Sequence, residues 1–190
     1  MQNVRRLAEC LLDPTATPET LERTCSELYI NLLEASGFDP IRSVSDAVDT
    51  PLPNGTALAP HLAALCVLDT NRTVAFVRGL WAAIHKAQRR FPLVSLEVVY
   101  AGTGPLAPLA IPLMTLLDPG VVVFTLIDVN ARSVEAVRRL ISRLGLSHCV
   151  GRIVRADATC YTHPVPVHVA VTETMQRALS KEPFVAIVRN

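Results

Sequence analysis

Four short runs rich in apolar and β-branched residues govern the C-terminal half of the chain: LEVVYA from residue 96, GVVVFTLIDVN from 120, GRIVRAD from 151 and VHVAVTE from 167. Their apolar residues fall at successive positions, not only alternate ones, the pattern of strands buried on both faces. Between the second and third runs lies ARSVEAVRRLISRLGL, in which Val134, Val137, Leu140, Ile141 and Leu144 form one helical stripe. Arg132, Arg138, Arg139 and Arg143 lie largely away from that stripe, and Gly145 is a natural helix stop. Strands alternating with helical segments predict a parallel sheet covered on both sides.

The first half reads as helices. Residues 18–37 place Leu21, Cys25, Leu28, Ile30, Leu32 and Leu33 at roughly helical spacing, with Thr17 as N-cap. Residues 37–56 hold Gly37, Pro40, Pro51, Pro53 and Gly55 and read as a loop. Residues 57–68 and 73–89 read as two more helices, the second carrying Trp81 and ending in Lys86, Arg89 and Arg90. Cations suit a helix C-terminus. The expected fold is therefore α/β: a helical region over residues 1–92, then a Rossmann-like, mostly parallel sheet over 93–190. FVAIVRN, from residue 184, offers at most one more strand.

Composition excludes several function classes. Half of the 190 residues are hydrophobic and 18% are charged, which fits a folded core and not a disordered chain. A net charge of +1 creates no field to recruit nucleic acid or an anionic membrane. Glycines, prolines and Asp118 interrupt the apolar stretch from 98 to 127, so no spanning helix is expected. The N-terminus lacks a small-residue cleavage site, which argues against secretion. Cys10, Cys25, Cys66, Cys149 and Cys160 are scattered without a C-x-x-C pair, and the histidines show no metal spacing. Reduced thiols and a cytoplasmic location follow as the expectation.

In an open parallel sheet, ligands bind beyond the carboxyl ends of the strands. The first run ends in Gly102-Thr103-Gly104, where missing side chains let a ligand approach the backbone. The second ends at Asp128, a carboxylate placed to accept hydrogen bonds from ribose hydroxyls. The third ends at Asp157, near where an adenine edge would lie, and the fourth at Glu173. Each residue also has an ordinary reading: a tight turn at the glycines, a helix cap at Asp128, a local turn between Asp157 and Thr159. The ordered series favours a nucleoside-type site. Pro105 removes a donor, and Leu106 and Ala107 occupy the place of the third glycine that a dinucleotide fingerprint needs. An NAD-dependent oxidoreductase is thus the poorer match, and a ligand without phosphates the better one.

Three stretches resemble the class I S-adenosylmethionine-dependent methyltransferases, and most of all the protein arginine methyltransferases. YAGTGPLA from residue 100 is similar to their glycine-rich first motif, LDTNRT from 68 to their Asp-x-x-Arg-Thr segment, and ETMQRALSKE from 173 to their double-glutamate loop. The resemblance implies S-adenosyl-L-methionine as cofactor, with Arg72 on its carboxylate, Gly102 and Gly104 giving backbone approach, Asp128 on the ribose and Asp157 near the adenine. Glu173 and Glu182 would clamp and polarise a guanidine or amine of a peptide or small molecule; the ordinary reading makes them a solvated helix face. Tyr100 stands where the first motif has an acid, so the resemblance implies that one cofactor contact is either missing or replaced by Tyr100. The family's threonine-histidine-tryptophan motif and C-terminal barrel have no counterpart before Asn190. The resemblance so implies an incomplete sheet, completed by further chain, by a second copy or by a partner protein. A partner-dependent domain that binds the cofactor without catalysis is the alternative.

Overall fold

The computed structural model describes residues 1–40, 48–174 and 183–190. Helices α1 (Gln2–Leu12) and α2 (Pro18–Ser36) lead to a hairpin of β1 (Thr50–Leu52) and β2 (Gly55–Ala57), then α3 (Pro60–Leu65) and α4 (Thr70–Arg90). There follow β3 (Leu96–Ala101), α5 (Ile111–Met114), β4 (Val122–Asp128), α6 (Ala131–Leu144), β5 (Val150–Arg155), β6 (Val169–Thr172) and α7 (Phe184–Arg189). The long helices end where their sequences direct. Thr17 Oγ1 accepts from the Thr20 amide at the start of α2, and Gly37 closes it in the left-handed conformation, φ 59°. Gly145 closes α6 the same way.

The sheet is Rossmann-like: four parallel strands in the order β5-β4-β3-β6. Successive strands β3, β4 and β5 step outward in one direction, and the chain then crosses back to lay β6 on the other side of β3. That reversal opens a crevice at the carboxyl end of the central strand. On one face Leu96, Val98 and Tyr100 stand in register with Val122, Phe124 and Leu126, and all six are buried. They share a single hydrophobic core with Leu7 and Leu11 of α1, Leu28 and Leu32 of α2, Val77 and Ile84 of α4 and Leu140 of α6. The helical region 1–92 and the sheet region 93–190 meet in that core.

Arginines fasten the helices together. Arg139 Nε donates to the Ser36 carbonyl at 2.5 Å, and Arg143 Nη1 to those of Glu34 and Ala35, at 3.1 and 3.2 Å. The Glu34 carbonyl already accepts from the Gly37 amide, whereas those of Ala35 and Ser36 are carbonyls that the end of α2 leaves open. Arg78 ties down the end of α1, donating to Leu11 O at 2.8 Å and to Asp13 O of the following turn at 2.7 Å.

Some local expectations change. The loop read over 37–56 contains the first hairpin strand, and the helix read over 57–68 shortens to α3 with a 3-10 turn at Cys66–Leu68. FVAIVRN forms α7, not a strand. Between β5 and β6 the described chain crosses without a helix, and is tied to β3 by His168, whose Nδ1 accepts from the Glu97 amide at 2.9 Å. Among the described residues no helix is long and apolar enough to cross a membrane.

Candidate functional site

The crevice begins at the turn after β3. Gly102 and Gly104 both take positive φ, 74° and 57°, which a residue with a Cβ adopts only under strain. At Gly102 a Cβ would also stand 2.5 Å from Thr174 Cγ2. The Gly102 amide donates to Ile127 O at 2.8 Å, which draws the turn against the end of β4. Beyond Gly104 the chain passes through turns, and helix α5 begins only at Ile111. Among the described residues no helix begins directly after the glycine turn, so the turn lacks the helix N-terminus that a dinucleotide fingerprint sets under a pyrophosphate.

Asp128 ends β4 and braces this turn. Its Oδ2 accepts from the Gly104 amide and its Oδ1 from the Asn130 amide, both at 2.8 Å. The helix cap that Asp128 was able to supply falls instead to Asn130, whose Oδ1 accepts from the Arg132 and Ser133 amides. Burial raises the Asp128 pKa to about 6, against the pull of the Asn130 and Gly104 amides. Each carboxylate oxygen retains a second acceptor direction for a ligand hydroxyl.

Across the crevice stands a network that the sequence only half discloses. Glu173 follows β6, its amide bonded to Ala101 O, so its position is fixed by the sheet. Tyr100, wholly buried, donates its hydroxyl to Glu173 Oε2 at 2.5 Å. Arg72 Nη2 lies 3.3 Å from Glu173 Oε1, with the two side chains 23% and 10% exposed. Arg72 is set in the first turn of α4, where its amide donates to the capping Asp69 carboxylate. Burial raises the Glu173 pKa, while the Tyr100 hydroxyl and Arg72 charge work the other way. The phenol of Tyr100 is held well above its ordinary range by burial and by Glu173, so it remains a donor.

Asp157 forms the local turn with Thr159, whose amide reaches Asp157 Oδ1 at 2.9 Å, and it also lines the crevice. Arg72, Gly102, Gly104, Asp128, Asp157 and Glu173 all border one cavity of about 220 Å³. Tyr100 does not line it; the tyrosine acts on the cavity through Glu173. Glu182 lies outside the described residues. Sequence reasoning missed the rim: Thr56 and Ala57 of the hairpin, Cys66, and Ile187 of α7. Nothing in their residue types marks them as site residues, because the long-range fold alone brings them there. Among the described residues no cluster of histidine, cysteine and acid suits a metal ion. Compared with known proteins, the chain matches no family model, no curated protein and no solved structure.

Proposed function

We propose that this crevice binds S-adenosyl-L-methionine and that the protein transfers its methyl group to a nitrogen of a peptide or small-molecule amine or guanidine. The observation that carries the reading is the pairing of Asp128 with the glycine turn at the strand-order reversal, with Arg72 facing them across one cavity. The donor set fits the ligand. A carboxylate at the end of β4 accepts ribose hydroxyls, and a guanidinium suits the ligand's α-carboxylate. The absence of a helix N-terminus at the turn disfavours a dinucleotide.

When bound, the sulfonium supplies an electrophilic methyl group for in-line displacement. Asp128 orients the ribose end, Arg72 anchors the amino-acid end, and Asp157 borders the space left for the base. Glu173, placed by β6 and held by Tyr100, would accept a hydrogen bond from the neutral attacking nitrogen and orient its lone pair. As the N–CH3 bond formed and the S–CH3 bond broke, S-adenosylhomocysteine would leave as a neutral thioether and the nitrogen's proton would pass to solvent. The residues' contribution is positioning and electrostatics, without a covalent intermediate.

A second reading rests on the Glu173 contacts. With Tyr100 on one oxygen and Arg72 beside the other, Glu173 is engaged by its own chain, as suits a domain that binds the cofactor and leaves catalysis to a partner. The outer edge of β6 has no neighbouring strand among the described residues, and a partner protein or second copy would add there. Incubation with methyl-labelled S-adenosylmethionine and a panel of arginine peptides, lysine peptides and small amines tests the choice. Label on nitrogen supports the transferase; ligand binding with no transfer supports the partner-dependent domain.

A further inference from the structure

The contact between Arg72 and Glu173 is poor for an ion pair set in so enclosed a place. Its 3.3 Å separation, from Nη2 to Oε1, exceeds the roughly 2.7–2.9 Å of a strong charge-assisted bond. Glu173 has a better partner on its other oxygen, the Tyr100 hydroxyl at 2.5 Å. The tyrosine is buried in the core and cannot follow a moving arginine, whereas Arg72 borders the open crevice. The pair is thus anchored on the glutamate side and exchangeable on the arginine side.

We propose that Glu173 is an internal stand-in for a ligand carboxylate, and that an α-amino-acid carboxylate entering the crevice takes Arg72 away from it. This rests on the cofactor reading above and adds a coupling to it. An entering carboxylate offers two oxygens to the guanidinium fork in place of a distant contact. Once Arg72 has moved, Oε1 of Glu173 keeps no partner among the described residues and borders the crevice, while Oε2 is still held in position by Tyr100. An unpaired buried charge attracts a cation strongly. The amine or guanidinium substrate is therefore accepted best after the amino-acid ligand has bound, and the order of addition is built into one ion pair. No bond is made or broken in the exchange; only the guanidinium's partner changes.

The coupling has a counterintuitive signature: Glu173 opposes the ligand it borders. Calorimetric titrations should use S-adenosylhomocysteine, which has the α-carboxylate, and 5′-deoxy-5′-methylthioadenosine, which lacks it. Glu173→Gln should tighten S-adenosylhomocysteine by about 3- to 10-fold, the scale of one partly buried ion pair, and leave methylthioadenosine within about 2-fold. In an Arg72→Met background the gain from Glu173→Gln should vanish, which separates exchange of the arginine from a general loss of negative charge. Tyr100→Phe supplies an independent check, since it should leave methylthioadenosine binding intact while weakening the selectivity for cation after carboxylate. Equal or weaker S-adenosylhomocysteine binding by Glu173→Gln, with methylthioadenosine still bound, overturns the exchange and leaves the nucleoside site standing. A gain that persists without Arg72 also overturns it. Failure of the wild-type protein to bind either compound removes the cofactor reading and the exchange with it.

Discussion

Asp128 is the residue on which sequence and geometry agree most closely, and its ionisation gives a signed prediction. Its folded pKa of about 6 lies above the ordinary 3.8, so the folded state favours the protonated acid. The stability this contributes is full below about pH 4 and is lost as pH rises through about 6. Asp128→Asn should therefore gain stability relative to the wild type between pH 4 and 7, measured as a shift in urea midpoints; parallel pH profiles would refute the assignment. Ligand binding should run the other way. In the proposed function ribose hydroxyls would donate to the ionised form, so wild-type affinity for S-adenosylhomocysteine should fall as pH drops through about 6, and protons should be released on binding near that pH. Asp128→Asn should bind weakly with little pH dependence. At this scale the sequence was partly legible. A carboxylate after an apolar run can be read directly, but its engagement by the Gly104 amide depends on a turn 24 residues earlier. Tyr100 shows the same limit: its phenol serves Glu173, 73 residues away in the chain.

Among elements, the strands were the most legible because their patterning is dense. LEVVYA coincides with β3, the second and fourth runs contain β4 and β6, and the third covers all of β5 but Val150. The hairpin of β1 and β2 escaped, since Pro51 and Pro53 signal a loop in any local reading and each strand has only three residues. FVAIVRN was ambiguous for a different reason: a short apolar run carries no periodicity strong enough to separate strand from helix. The arginines of α6 illustrate what helical periodicity hides. It places them off the apolar stripe, but only the crossing of α6 over the end of α2 turns Arg139 and Arg143 into caps for the carbonyls of Glu34, Ala35 and Ser36. Removing both, Arg139→Ala with Arg143→Ala, should cost about 1–3 kcal/mol, as expected for charged hydrogen bonds to open carbonyls. Urea denaturation measures it. A loss below about 0.5 kcal/mol would make the two arginines ordinary surface residues.

For the molecule as a whole, the strand order explains why chemistry gathers where it does. Because β6 crosses back beside β3, the ends of β3, β4 and β6 converge, and the acids that follow β4, β5 and β6 face a single cavity. Four separate weak signals in the sequence thus become one site through topology. The helical core includes Leu96, Val98 and Tyr100 of β3 and Val122, Phe124 and Leu126 of β4. Val99, Val123 and all of β5 and β6 are at most half-buried, so the covering expected on both faces is not complete. Helix α3, the hairpin and α7 form the rim. The central claim is that the crevice holds an adenosyl ligand through Asp128 and the glycine turn. Calorimetric titration of the wild-type chain and of Asp128→Ala with S-adenosylhomocysteine at pH 7.5 (about 1.5 units above the Asp128 value, so the carboxylate is ionised) tests it most directly. The wild type should bind at one site per chain, and the variant should lose affinity by at least about tenfold. Absence of wild-type binding, or equal binding by both proteins, would contradict it.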